Sequence, residues 1–133
     1  MKKKYKESKY HEDWLLKARR DLDNAFLHHQ HGGYTDTTCY FCHQAAEKAL
    51  KSYLLYRGLK SLPHIHILPT LLSMCEKHDK DFADLKENCQ ILDKYYIETK
   101  YPLSPPVDYP KQEAQKAIDL TSKVLDFVEK KIR

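Results

Sequence analysis

The apolar residues of this sequence recur at spacings of three and four positions along most of its length. Side chains at these spacings share one face of an α-helix, so the pattern predicts amphipathic helices. The predicted helices cover about residues 10–29, 37–58, a short segment from 66–69 onward, 81–100, and a last segment from about 111. Five such segments with mostly short connections predict one all-α domain, residues 1–133, folded as an antiparallel up-and-down bundle of four to five helices.

The segment 37–58 is the one around which the others are predicted to pack. Its apolar stripe consists of Tyr40, Ala46, Ala49, Leu50, Tyr53 and Leu54. The polar side chains predicted to lie on its exposed face are His43, Gln44, Glu47, Lys48 and Arg57. Because His43 and Glu47 are one helical turn apart, the carboxylate could orient the imidazole, but a plain surface pair is the simpler interpretation.

Composition agrees with a helical fold. Only three of 133 residues are glycine and 41% are hydrophobic, which is enough for one core without disulfides or metal. No run of about eighteen apolar residues is present, and no apolar segment of a secretory signal follows the lysine-rich start. We therefore expect a cytoplasmic protein whose four cysteines are free thiols.

The net charge of +4 is concentrated at the start of the chain. Residues 1–9 contain five lysines and one glutamate, so the charges of residues 10–133 balance to zero. A basic surface that binds nucleic acid would instead lie on the folded body. We expect residues 1–9 to be a flexible, solvated arm and the body to offer local pockets rather than a broad phosphate-binding stripe.

Several cysteines and histidines lie at spacings that can bind metal or haem. Cys39, Cys42 and His43 match the attachment pattern of c-type haem, and the two thiols could form half of a zinc site. We expect buried thiols instead, because no export signal is present and no second Cys pair completes a zinc site. His28 and His29 point about 100° apart on a helix, so we interpret the cluster that they form with His31 as a solvated helix end. We predict no metal and no cofactor.

Four parts of the sequence resemble the HEPN family. They are Trp14, Ala18, Asp21 and Leu22; the run from Cys42 to Lys51, CHQAAEKALK; Arg57 and Gly58 with His66 and Leu68; and Thr99-Lys100-Tyr101-Pro102. The resemblance covers nearly the whole chain. It implies a helical bundle, usually a homodimer, in a family of nucleotide-binding domains, RNA-cleaving toxins and partners of minimal nucleotidyltransferase antitoxins.

The RNA-cleaving members of that family carry an Arg and a His separated by four to six residues. Arginine would stabilise the charge of the phosphate, and histidine would transfer a proton at the 2′-hydroxyl or the leaving oxygen. Here only Arg57 and His64 have such a spacing, and no histidine follows His78. Lys100 replaces the arginine of the T-R-Y-P run that related sequences often carry, and lysine lacks the bidentate fork. Arg57 and His64 are therefore weak catalytic candidates.

A binding surface is the remaining functional prediction. Its candidates are Lys48, Arg57, Lys100 and His66 for a phosphate, with Tyr101 and Tyr109 for stacking on a base. An alternative of equal weight is that the charged groups only solvate a helix face and the tyrosines cap the bundle. We predict a nucleotide-binding or interaction module paired with a minimal nucleotidyltransferase. The alternatives are a metal-independent ribonuclease toxin and a structural dimerisation module without a ligand.

Overall fold

The structure is a computed structural model that describes residues 7–96 and 106–132. Within these residues the chain forms five α-helices, a short 3-10 helix and no β-strand. The α-helices are α1, His11–Gln30; α2, Thr35–Tyr56; α3, Leu68–Glu76; α4, Lys86–Asp93; and α5, Lys111–Lys131. The 3-10 helix, Lys80–Leu85, directly precedes α4. The all-α prediction is therefore confirmed.

Helix α2 lies at the centre of the bundle. It packs against each of the other four α-helices, and 13 of its 22 residues are buried. It runs antiparallel to α1, since the ring of His11 at the start of α1 lies 5.2 Å from that of Tyr56 at the end of α2. The prediction that the other segments pack around this one is confirmed.

Small residues allow the two long helices to approach closely. Ala18 and Ala25 of α1 are fully buried, and so are Ala45, Ala46 and Ala49 of α2. Alanine at a helix crossing leaves room for the larger side chains of the facing helix. The core beside these alanines contains Leu50, Leu71, Leu72, Leu92, Leu125 and Phe82.

The predicted elements and the observed ones differ at three places. The spacing of Leu22, Ala25 and Phe26 predicts that Phe26 lies on the apolar stripe of α1, but its side chain is 49% exposed. The fourth predicted segment begins as a 3-10 helix, in which the Asp79 carboxylate accepts a hydrogen bond from the N–H of Asp81. The spacing of Phe82, Leu85, Cys89 and Leu92 predicts Tyr96 as the next buried position, but the helix is interrupted by a turn at Lys94 and Tyr95 is buried instead. The predicted end of this segment near residue 100 lies outside the described residues.

Other boundaries are close to the predictions. Helix α3 begins at Leu68 with Pro69 in its first turn, where a missing N–H costs no hydrogen bond. The spacing predicts a buried face of α5, and all of its members except Ile132 are buried: Ala114, Ala117, Ile118, Thr121, Val124, Leu125 and Val128. None of the helices described is long and apolar enough to cross a membrane.

The four cysteines occupy the core as free thiols, as predicted. Cys39 and Cys42 lie on α2, Cys75 on α3 and Cys89 on α4, and each is fully buried. Burial raises the pKa of Cys39, Cys42 and Cys89 to about 12. These thiols behave as small apolar groups in the packing.

Candidate functional site

Glu47 is the centre of a buried polar cluster at the middle of α2. Its carboxylate binds the ammonium of Lys51 at 3.1 Å and Nδ1 of His66 at 3.0 Å. We call this group the Glu47 cluster; its members are His43, Glu47, Lys51, His66, Asp93 and Tyr96. The predicted exposed pair of His43 and Glu47 is wrong, because these side chains are only 0% and 6% exposed. Since α2 has neighbours around most of its circumference, part of its polar face becomes interior.

His43 is the most deeply buried member of the Glu47 cluster. Its Nδ1 lies 4.0 Å from Oε1 of Glu47 and its Nε2 lies 3.8 Å from Oδ1 of Asp93, so neither nitrogen is within hydrogen-bond distance. Burial lowers the pKa of His43 below its ordinary value, although Glu47 and Asp93 act in the opposite direction. The imidazole is therefore held in its neutral form.

His66 lies at the surface end of the same cluster, two residues before α3. Its side chain is 43% exposed, and its ring stacks on Tyr96 with centroids 4.9 Å apart and planes 15° apart. Asp93 accepts a hydrogen bond from the backbone N–H of Leu68, which ties the start of α3 to α4. The ring of His66 is thus oriented by a buried carboxylate on one edge and by an aromatic face.

Lys51 connects the Glu47 cluster to α1. Its side chain is 6% exposed, and its ammonium lies 5.9 Å from the centroid of the Trp14 ring, within the range of a cation–π interaction. Trp14 also lines a pocket of about 370 Å³, which we call the Trp14 pocket. Its polar and aromatic lining consists of Ser8, Asp13, Trp14, Lys17, Arg20 and Lys48.

The Trp14 pocket combines an aromatic ring with three basic side chains. The indole N–H donates a hydrogen bond to the backbone carbonyl of Ser8 at 2.8 Å, which fixes the ring plane. Lys48 is already bound to Asp21, at 2.5 Å between Nζ and Oδ2. Lys17 and Arg20 lie three residues apart on α1, so they project from neighbouring positions on one side of the helix.

The structure separates the residues that were predicted to share one binding surface. Lys48 lines the Trp14 pocket and His66 belongs to the Glu47 cluster. Arg57 is exposed at the C-cap of α2, nine residues after Lys48. At about 100° per residue, these two side chains point to opposite sides of the helix. Tyr109 packs against Tyr95, with ring centroids 5.2 Å apart. Lys100 and Tyr101 lie outside the described residues.

The weak catalytic candidates Arg57 and His64 are both exposed. Arg57 caps α2 and His64 lies in the connection to α3. Among the residues that the structure describes, no hydrogen bond, ion pair or ring contact joins these two side chains. Their catalytic role stays a prediction.

The sequence indicated His43, Glu47 and His66 in the Glu47 cluster and Lys48 in the Trp14 pocket, but it gave no functional role to the other members of either site. Lys51 was detectable, because it follows Glu47 by one helical turn and such pairs often form ion pairs. Trp14 was noted only as a core and family residue, and Lys17 and Arg20 follow the pattern of ordinary solvated positions. Asp93 and Tyr96 come from a distant segment, and no local pattern links them to His43.

The described part of the chain contains no group of three or more His, Cys, Asp or Glu side chains that could hold a metal ion. The predicted solvated histidine cluster is only partly exposed. His31 is exposed, whereas His28 is partly buried and its Nε2 has no hydrogen-bond partner.

Comparison with known proteins gives a family match and structural neighbours. The family model of the HEPN domain matches residues 11–131. The crystal structure of TT1696 from Thermus thermophilus is 38% identical, with a TM-score of 0.80 over 91% of this chain and 97% of that one. The crystal structure of ST0689, an archaeal HEPN homologue, is 28% identical, with a TM-score of 0.77 over 95% of this chain and 100% of that one. No curated protein matches the sequence.

Proposed function

The chain belongs to the HEPN domain family, and from this premise we propose that it is a nucleotide-binding module whose ligand occupies the Trp14 pocket. The observation that carries the proposal is the convergence of the indole of Trp14 with the basic side chains of Lys17, Arg20 and Lys48 in one pocket. A planar aromatic surface beside cationic groups complements a base joined to a phosphate.

Each part of the pocket has a distinct role in this proposal. Stacking of a base on an aromatic ring contributes about 1–3 kcal/mol, and Trp14 is the aromatic side chain of this pocket, with its N–H already bonded to the carbonyl of Ser8. The charge of Lys48 is largely neutralised by Asp21. Arg20 and Lys17 therefore provide most of the attraction for the phosphate, and the planar guanidinium of Arg20 suits bidentate binding.

The position of Trp14 provides a direct assay, because it is the single tryptophan of the chain. Titration with ATP or GTP should change its fluorescence and raise the melting temperature. A free nucleotide concentration of one hundred times the Kd stabilises the folded state by about 2.7 kcal/mol. Arg20→Ala should weaken both responses, whereas Arg57→Ala, which removes an exposed arginine outside the pocket, should leave them unchanged.

Two results would reject this site. One is the absence of any fluorescence or melting response at millimolar nucleotide. The other is equal affinity in the wild type and in Arg20→Ala, combined with lost affinity in Arg57→Ala. The second result would favour the surface around Arg57 instead.

The family resemblance also supports the partner that we propose, a minimal nucleotidyltransferase, and a homodimeric state in the cytoplasm. A short nucleotidyltransferase reading frame beside this one, and co-purification of the two products, would support the pairing. Light scattering of the purified chain tests the homodimer. The ribonuclease alternative rests on Arg57 and His64 alone, and RNA cleavage that is lost in His64→Ala would establish it.

A further inference from the structure

We propose that Nε2 of His66 is a nucleophilic acceptor of a phosphoryl group, and that Glu47 is the positioning residue that prepares it. The proposal concerns the Glu47 cluster and does not depend on a ligand in the Trp14 pocket. It rests on the two restraints that hold the ring of His66, one on its edge and one on its face.

The edge contact determines which nitrogen is available. Both carboxylate oxygens of Glu47 approach Nδ1 of His66, at 3.0 and 3.2 Å. A carboxylate accepts hydrogen bonds, so we assign the proton of the neutral imidazole to Nδ1. The lone pair then resides on Nε2, on the opposite edge of a ring that is 43% exposed.

The face contact limits the motion of that lone pair. Tyr96 stacks on the imidazole with planes only 15° apart, so the ring has little freedom to rotate about its side-chain torsions. A nucleophile that is held in one orientation loses less entropy when it attacks. The unstacked His64, two residues earlier and exposed, has no such restraint among the described contacts.

The charges of the cluster suit the reaction as well. Attack through Nε2 turns the neutral ring into an imidazolium, whose positive charge the carboxylate of Glu47 stabilises. The ammonium of Lys51, 3.1 Å from Oε2 of Glu47, offsets the negative charge that would otherwise repel an incoming phosphate. The start of α3 two residues later adds a weaker attraction for an anion.

The donor that the proposal requires is a small activated phosphate, such as a phosphoramidate or an acyl phosphate. With phosphoramidate in its N-protonated form, the lone pair of Nε2 forms a bond to phosphorus while the bond from phosphorus to the –NH₃⁺ group breaks, and the electron pair of that bond leaves with neutral ammonia. The proton on Nδ1 stays in its hydrogen bond to Glu47. The product is an Nε2-phosphohistidine, with no change in oxidation state.

Phosphoramidate itself is the probe for the test. The purified chain is incubated with it, and the phosphoryl group on each histidine is quantified over time by peptide mass spectrometry and ³¹P NMR. We expect His66 to react about tenfold faster than His64, as one additional charge-assisted hydrogen bond would produce. Labelling of His66 should disappear in His66→Ala and persist in His64→Ala.

The role of Glu47 is tested by Glu47→Gln, which should reduce the rate at His66 to that of His64. If this variant does not fold, Glu47→Gln combined with Lys51→Met removes the unpaired buried ammonium and makes the same comparison. Equal rates at His64 and His66 in the wild type would overturn the proposal. A rate at His66 that is unchanged in a folded variant without the carboxylate would also overturn it.

Discussion

The Nε2 atom of His43 lies 3.8 Å from Oδ1 of Asp93, and this distance leaves a fully buried imidazole without a hydrogen bond on either nitrogen. Asp93 directs that oxygen to the backbone N–H of Leu68 instead, at 2.8 Å. Asp93 thus connects α3 to α4, while the buried imidazole of His43 has no hydrogen-bond partner. A buried polar group without a partner costs about 1–3 kcal/mol.

This relationship predicts how stability depends on pH. Burial lowers the pKa of His43 below its ordinary value of 6.5, so the unfolded chain binds a proton at a pH where the folded chain does not. The contribution of His43 to stability is thus independent of pH well above 6.5, and stability falls as the pH drops below that value. Urea unfolding at a series of pH values should show this loss, with a smaller slope in His43→Leu. Equal slopes in the two proteins would contradict the assignment.

The buried ion pair of Glu47 and Lys51 should be strongly coupled in stability. Glu47→Gln leaves an ammonium that is only 6% exposed without its carboxylate, and loss of one buried partner costs about 3–5 kcal/mol. Adding Lys51→Met should recover part of that loss, because it removes the unpaired charge. The measurement is a double-mutant cycle by urea unfolding.

A more exposed ion pair serves as the control for this cycle. Arg19 binds Glu129 across α1 and α5, but the two side chains are 34% and 35% exposed. Solvent screens such a pair, so its coupling should be at most about 1 kcal/mol. If the coupling energy of Glu47 and Lys51 were no larger than that of Arg19 and Glu129, the predicted strong coupling of the buried pair would be wrong.

The helices were predictable because burial imposes a period of 3.6 residues on any helix with one buried face. That rule holds for α5, whose predicted buried residues are nearly all observed, and in part for α1, where Ala18, Leu22 and Ala25 are buried but Phe26 is exposed. It fails for α2, where a central position hides Glu47 and Lys51 as well as the apolar stripe. A sequence pattern shows which residues are polar, but a polar residue can be exposed or paired in the interior.

The candidate sites were less predictable, because they depend on contacts between distant segments. His43 meets Asp93 fifty residues later, and the orientation of His66 depends on Tyr96. The Trp14 pocket required the position of α1 relative to α2. Of the predicted phosphate ligands that lie within the described residues, Lys48 is the one found in that pocket, and Asp21 already binds it.

A side chain at either glycine of the turn between α1 and α2 should destabilise the fold, and the physical reason differs between Gly32 and Gly33. A Cβ added at Gly33 would overlap the imidazole of His28, so Gly33→Ala should cost about 1–3 kcal/mol. Gly32 has open space around it but a φ of 72°, so Gly32→Ala should cost about 1 kcal/mol through backbone strain. Thermal unfolding measures both.

The double variants separate the two causes. Adding His28→Ala should relieve the overlap and restore most of the stability that Gly33→Ala removes. The same addition should leave the cost of Gly32→Ala unchanged, because strain in the backbone does not depend on that ring. Rescue of both glycine variants, or of neither, would contradict this explanation.

The thiols provide a last prediction, on the protection of the core. Each cysteine is fully buried, and burial raises the pKa of Cys39, Cys42 and Cys89 to about 12, so at pH 8 only about one in ten thousand of these thiols is ionised. An aromatic disulfide reagent should therefore react only slowly with the native protein, and rapidly with all four thiols after unfolding. Ser61→Cys adds an exposed thiol that should react at once, as a control for reagent activity.

Because reaction requires exposure, the slow native rate should follow the free energy of unfolding across the Gly33→Ala and Glu47→Gln variants. A fast phase in the native wild-type protein would show instead that at least one thiol is reached without unfolding of the bundle.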